Sequence, residues 1–143
     1  LVCQVRCDRG TWWMAEGPMV LLIEDHQEVR AWMACRLRLA GHIVATAANG
    51  AEALSLLRLV RPSVIISDLD MPVMDGWTFR EQQLTSPELR DIPFVVASAS
   101  PVSTDEAETL CAGAVLAMPL SVARLLECVR RYDRGGGPPA SAA

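Results

Sequence analysis

Met19–Ile23 is a run of five apolar residues that stops abruptly at Glu24-Asp25. A short run without polar alternation is what a strand covered on both faces requires. Ile43–Ala47, Val64-Ile65-Ile66, Phe94–Ala97 and Val115–Ala117 are further runs of this kind. The stretches between them carry helical spacing instead. Val29, Trp32, Met33, Arg36, Leu37 and Ala40 recur at three and four and stop at Gly41, which marks a helix end. After Asn49-Gly50, the segment Ala51–Val60 places Ala53, Leu54, Leu57 and Val60 on one helical face, and Pro62 breaks it. Ser103 and Glu106 have the spacing of a capping box, predicting a helix through Ala112 closed by Gly113. Ser121 is placed to cap a last helix through Tyr132. Strand and helix alternating five times predicts an α/β fold, a doubly wound, five-stranded parallel sheet with helices on both faces. Ligands bind such sheets at the carboxyl ends of the strands, near the point where strand order reverses.

The predicted folded unit covers residues 19–133. Residues 1–18 show no period and end in Glu16-Gly17-Pro18, so they are expected to be a flexible flank; Cys3 and Cys7 lack partners at metal-ligand spacing. Residues 134–143 are rich in Gly, Pro and Ala, as a disordered tail or linker would be. The chain begins with Leu, as a fragment or a processed chain would, and no secretory signal is expected at its start. No apolar run approaches the ~20 residues a membrane-spanning helix needs. The net charge of −4 argues against direct nucleic-acid or anionic-membrane binding. Five Cys, three of them (Cys35, Cys111, Cys128) in helical apolar patterns, predict reduced, mostly buried thiols of a cytoplasmic protein. All thirteen basic residues are Arg, which excludes Schiff-base lysines, P-loop lysines and every other lysine-dependent chemistry.

On this skeleton the acidic residues gather. Glu24 and Asp25 end the first strand and Asp68 ends the third. Three carboxylates at one edge repel one another unless a cation neutralises them, and an all-oxygen set of this kind suits Mg²⁺. Asp70, two residues on, offers its backbone carbonyl to the same ion. Ser98 adds a hydroxyl at the end of the fourth strand. Any one of these residues alone reads as a solvated strand end; five at corresponding strand ends read as a site.

With those residues placed, the chain resembles the receiver domain of two-component response regulators over nearly all of residues 19–133. The matching segments are Val20-Leu-Leu-Ile-Glu24-Asp25, Ile65-Ile-Ser-Asp68-Leu-Asp-Met-Pro72-Val-Met-Asp-Gly76, Ile92-Pro93-Phe-Val-Val-Ala-Ser98-Ala99 and Ala112-Gly113-Ala114. The resemblance implies a flavodoxin-like fold and a phosphoacceptor, not a turnover enzyme, with self-catalysed phosphorylation and dephosphorylation open to it. It assigns Asp68 as the residue phosphorylated by a histidine kinase or phosphotransfer protein. It assigns Glu24 and Asp25, with Asp68 and the Asp70 carbonyl, to Mg²⁺, and Ser98 as the switch hydroxyl. The downstream partner is not identified, and a homodimer stays open.

The chain departs from the family in one region. The family ends its fifth strand with Lys-Pro; here Met118 precedes Pro119. The aromatic switch position falls on Val115, and the stretch from Ala114 to Pro119 is about two residues short. Arg124, the nearest downstream cation, is expected to lie too far away on the last helix. A lost charge-assisted hydrogen bond costs about 1.5–3 kcal/mol, so phosphorylation is expected to survive with weaker switching. The alternative is a phosphorylation-independent receiver that acts as a protein-interaction module. A haloacid-dehalogenase-like phosphatase is a remote reading of Asp68-x-Asp70, since that family places the motif on its first strand and needs a later cation. His26 is read as a solvated residue at a helix start rather than a metal ligand, Trp32 as helix packing, and Trp77 as partly exposed.

Overall fold

The computed structural model describes residues 19–132; the predicted flank 1–18 and tail 134–143 lie outside the described residues. Within them five strands form one sheet: β1 Met19–Ile23, β2 Ile43–Ala47, β3 Val64–Ser67, β4 Phe94–Ser98 and β5 Ala114–Ala117. They alternate with α1 Gln27–Leu39, α2 Gly50–Leu56, α3 Gly76–Thr85, α4 Thr104–Thr109 and α5 Val122–Arg130. Every pairing is parallel and the spatial order is β2-β1-β3-β4-β5. The chain therefore steps outward from β1 to β2, then crosses back to β3. The order reverses between β1 and β3, and the crevice at their carboxyl ends is the expected binding position.

Each residue of β1, β3 and β4 is buried, as the uninterrupted apolar runs required. Alternate side chains go to opposite faces. Val20, Leu22, Val64, Ile66 and Val95 meet α1 and α5 through Met33, Leu37, Leu125 and Val129. Leu21, Ile23, Ile65, Phe94 and Val96 meet Ala53, Phe79 and Leu110 from α2, α3 and the end of α4. Fully burying a side chain of this size contributes about 1.5–3 kcal/mol, so the two layers hold the sheet from both sides.

The helix ends follow the sequence signals in part. Gly41, with φ 98°, closes α1, a left-handed position glycine adopts without strain. Ser103 and Glu106 form both bonds of the capping box, and the Ser121 hydroxyl accepts from the Arg124 amide at 3.1 Å. Three helices are shorter than the sequence suggests; α5, expected through Tyr132, ends at Arg130. After Leu56 the amides of Arg58 and Leu59 bond three residues back, to Ser55 and Leu56, so the chain tightens into a turn before Pro62. The helix expected through Ala112 stops at Thr109. Its left-handed residue is Cys111, φ 51°, while the Gly113 amide already donates to the Phe94 carbonyl at 2.8 Å. That geometry also corrects the expectation of mostly buried thiols: Cys128 is buried, but Cys111 sits in this turn and Cys35 on the outer side of α1, both exposed.

Arg80 of α3 was not singled out in the sequence, yet it is buried. Its guanidinium donates to the carbonyls of Leu110 (2.8 Å) and Cys111 (3.0 Å) and to Gln83 Oε1 (2.7 Å). It also lies over the Phe94 ring, 4.8 Å from the centroid. Gln83 in turn donates to the Leu89 and Ile92 carbonyls. One side chain thereby ties α3 to the end of α4 and, through Gln83, to the approach to β4.

Candidate functional site

The sheet ladder fixes the backbone beneath the acidic residues. Ile23 and Ser67 are register partners on β1 and β3, the Asp68 amide donates to the Ile23 carbonyl at 3.0 Å, and the Glu24 amide donates to Ala47 at 3.0 Å. Both acidic strand ends thus leave the sheet side by side. One ligand atom from each of Glu24, Asp25, His26 and Asp68 lies within 4.8 Å of the others. Glu24 is buried, Asp25 and Asp68 are partly covered and His26 is exposed.

Asp68 is held at one oxygen. Its Oδ1 accepts from the Leu69 amide at 2.7 Å and, more weakly, from the Asp70 amide at 3.4 Å, which leaves Oδ2 without a backbone donor. The loop that follows is anchored by Asp75, whose side chain caps α3 by accepting from the Thr78 amide at 2.8 Å. Gly76 lies so close that a Cβ there would strike the Asp68 carbonyl oxygen and the Leu69 Cα. The Asp-Gly pair therefore has two jobs: the Asp starts the helix, and the Gly lets it pack directly on the backbone of Asp68.

Burial raises the pKa of Asp68, against the opposing amides of Leu69 and Asp70. Burial likewise raises that of Glu24 despite its bonds to His26. The His26 imidazole is pushed up by its hydrogen bond to Glu24 and by the charges of Asp25, Glu24 and Asp68. Asp25 Oδ1 is buried without a hydrogen-bond donor, a condition native structures rarely leave uncompensated. A crowded, partly desolvated oxygen set with one unsatisfied member fits a divalent cation.

The remaining predicted residues fall as follows. The Asp70 side chain is exposed and its amide faces Asp68. Ser98 is buried at the end of β4, its hydroxyl accepting from the Ser100 amide at 3.1 Å. The Met118 amide donates to the Ser98 carbonyl at 3.0 Å, so the position held by Lys in the resembling family is beside Ser98 through its backbone. The Met118 side chain lines an apolar hollow of about 310 Å³ with Val29, Trp32, Pro119 and Leu120. Arg124 lies instead beside Val115 and Glu127.

One group near the acidic pair is not marked by the sequence, and a second lies closer to the pair than its spacing suggests. Arg30, one turn into α1, donates to the Glu24 carbonyl at 2.7 Å and approaches that of Asp25 at 3.4 Å. Its only signal is a cation seven residues past the end of β1. His26 is solvated, as expected, with 72% of its side chain exposed, but its Nδ1 is also 3.1 Å from Glu24 Oε2 and 3.4 Å from Asp25 Oδ1.

The family described as response regulator receiver domain matches residues 20–130, and the chain belongs to that family. It is 36% identical over 127 residues to the transcriptional regulatory protein PrrA of Mycobacterium tuberculosis, covering 87% of this chain and 54% of that protein. The chain thus spans about half the length of that relative. Among solved structures it is similar to the chemotaxis response regulator CheY4 of Vibrio cholerae, with TM-score 0.75 and 29% identity over 82% of this chain and 99% of that one. The receiver domain of a signal transduction histidine kinase from Syntrophus aciditrophicus gives the same TM-score and identity over 84% and 92%. The flavodoxin-like fold and the place in two-component signalling follow. Among the described residues no helix is long and apolar enough to cross a membrane.

The raised pKa of Asp68 has a consequence for stability. A carboxyl with a higher pKa in the folded state favours folding below its ordinary value and loses that contribution as pH rises through the folded value. In chelator at neutral pH, Asp68→Asn is therefore expected to be more stable than the parent, by about 0.5–2 kcal/mol. The difference should shrink as pH falls through the raised folded-state value toward the ordinary carboxyl value of 3.8; paired urea titrations at neutral and acid pH measure it.

Proposed function

We propose that Asp68 accepts a phosphoryl group from a histidine kinase or phosphotransfer protein, with a divalent cation, Mg²⁺, held by Glu24, Asp25 and Asp68. The observation that carries this reading is the convergence of these three carboxylates at the β1–β3 switch point with Asp25 Oδ1 unsatisfied. The amides of Leu69 and Asp70 orient Oδ1, so Oδ2 is the attacking atom. Its bond to phosphorus forms as the bond from phosphorus to the donor's imidazole nitrogen breaks, and that nitrogen keeps the electron pair and takes up a proton. Glu24, Asp25 and the Asp70 carbonyl would hold the cation, which would supply neutralisation of charge on the phosphoryl oxygens. Ser98 supplies the hydroxyl that reads the product, since a phosphoryl group adds about −1.5 to −2 charge and three acceptor oxygens.

The chain is a phosphoacceptor that catalyses its own modification rather than an enzyme turning over a free substrate. Without a lysine, the protein group left to read the phosphoryl group is the Ser98 hydroxyl, and the coupling is weaker than a charge-assisted bond would give. A small-molecule acyl phosphate with Mg²⁺ is expected to add one phosphoryl group to the intact mass, and EDTA to prevent it. No adduct under conditions that label an ordinary receiver would refute this reading.

A further inference from the structure

We propose that His26 is a nitrogen ligand of the cation bound by Glu24, Asp25 and Asp68, and that it makes the site select a first-row transition ion over Mg²⁺. This rests on the reading of the acidic cluster as a cation site and adds a fourth donor of different chemistry.

Distances support it first. Two adjacent ligand atoms on an octahedral ion, each about 2.0–2.2 Å from it, lie about 3 Å apart. His26 Nδ1 is 3.1 Å from Glu24 Oε2 and 3.4 Å from Asp25 Oδ1, close to that spacing on both sides. The ring is also held there by the backbone, because the His26 amide donates to Glu24 Oε2 at 3.1 Å.

The one hydrogen bond the His26 ring makes among the described residues is from Nδ1 to Glu24 Oε2 at 3.1 Å, within the cluster itself, and a bound ion would replace it. His26 is the N-cap of α1, yet its side chain makes no capping bond, and with 72% of that side chain exposed it fills no core space. Asp25 Oδ1 is the complementary half: buried, without a donor, and facing the same imidazole. An ion seated between them satisfies both atoms at once.

Ligand chemistry then sets the preference. Mg²⁺ is bound through oxygen and keeps several of its waters, so an imidazole adds little to its binding. Divalent first-row transition ions gain from imidazole, increasingly from Mn²⁺ to Co²⁺ and Ni²⁺. One nitrogen among carboxylates therefore raises affinity for Co²⁺ while leaving that for Mg²⁺ nearly unchanged.

The test titrates the metal-free chain with CoCl₂ and separately with MgCl₂, by calorimetry in mildly alkaline buffer, for the parent, His26→Ala and Glu24→Gln. Pulsed EPR of the Mn²⁺-loaded parent and His26→Ala reports directly on a coordinated nitrogen. The expected result is tighter Co²⁺ than Mg²⁺ binding in the parent. His26→Ala should then lose at least about tenfold for Co²⁺, with Mg²⁺ changed less than about twofold, and ¹⁴N modulation present only in the parent. Equal losses for both ions, no loss for either, or no ¹⁴N signal would overturn the role of His26 while leaving the acidic site intact. Failure of the parent to bind any of the ions, or unchanged binding in Glu24→Gln, would overturn the cation site itself and His26's role with it.

Discussion

Replacing Gly76 with Ala is expected to slow phosphoryl uptake about 100-fold and to cost about 1–3 kcal/mol of stability. The added Cβ meets the Asp68 carbonyl oxygen and the Leu69 Cα, with the Leu69 side chain 3.0 Å away. Two of those three atoms are backbone, so no rotamer change relieves the clash, and overpacking of this kind costs about 1–3 kcal/mol. Either α3 lifts away, breaking the 2.9 Å bond from the Gly76 amide to the Leu69 carbonyl, or Asp68 moves. The Leu69 and Asp70 amides that orient Oδ1 belong to the same short segment, so a shift there misaligns the nucleophile. Misplacement by about 1 Å can cost a hundredfold in rate. Comparing labelling rates from an acyl phosphate with urea midpoints separates the two effects. A variant that is less stable but labels at the parental rate would show that α3, not Asp68, gives way.

Arg80→Ala is expected to lower the free energy of unfolding by about 3 kcal/mol or more. The change removes the donor to three acceptors, the Leu110 and Cys111 carbonyls and Gln83 Oε1. It also removes the contact with the Phe94 ring. A buried acceptor left unsatisfied costs about 1–3 kcal/mol; water can replace Arg80 at the exposed Cys111 more easily than at the buried Leu110. Burial lowers the Arg80 pKa, a sign that the charge is held at some expense and tolerated because its acceptors are fixed. Arg80→Met, which keeps volume without donors, should recover only the packing part. Urea titration of both variants measures the division. A loss below about 1 kcal/mol for Arg80→Ala would mean that the α3–α4 connection does not depend on this side chain.

Much of this architecture is legible in the residues because the strands are buried on both faces. Burial removes polar alternation, so the run Met19–Ile23 and its abrupt end at Glu24-Asp25 mark strand and site together. The capping box at Ser103 and Glu106 is legible for another reason: it is completed within four residues and needs no tertiary contact. The carboxylates could be gathered at one edge because the βα alternation places successive strand ends on the same side.

What stayed hidden depends on contacts distant in sequence or on side-chain direction. Arg80 reaches acceptors about thirty residues away, and no local pattern distinguishes it from a solvated helix arginine. The early end of α4 follows from the left-handed turn at Cys111, where the nearby Gly113 was the more obvious signal. Arg30 and His26 are first-turn polar residues by spacing; only the path of the chain out of β1 turns them back toward the acidic pair.

The loss of lysine is better explained by the structure than by its absence alone. Met118 keeps the backbone bond to Ser98 while its side chain joins Trp32, Val29 and Leu120 at an apolar hollow. The position that would carry a cation toward the phosphoryl group has become part of the packing between β5 and α1. The acidic residues and the buried Ser98 hydroxyl remain.

On the proposed reading, Asp68 is the phosphoacceptor of a site that works without lysine. Peptide mapping after labelling with an acyl phosphate and Mg²⁺, followed by borohydride reduction of the acyl phosphate, locates the modified residue. The reduced modification is expected on the peptide carrying Asp68, and Asp68→Ala is expected to show no labelled peptide. A modification elsewhere, or labelling that persists in Asp68→Ala, would contradict the account.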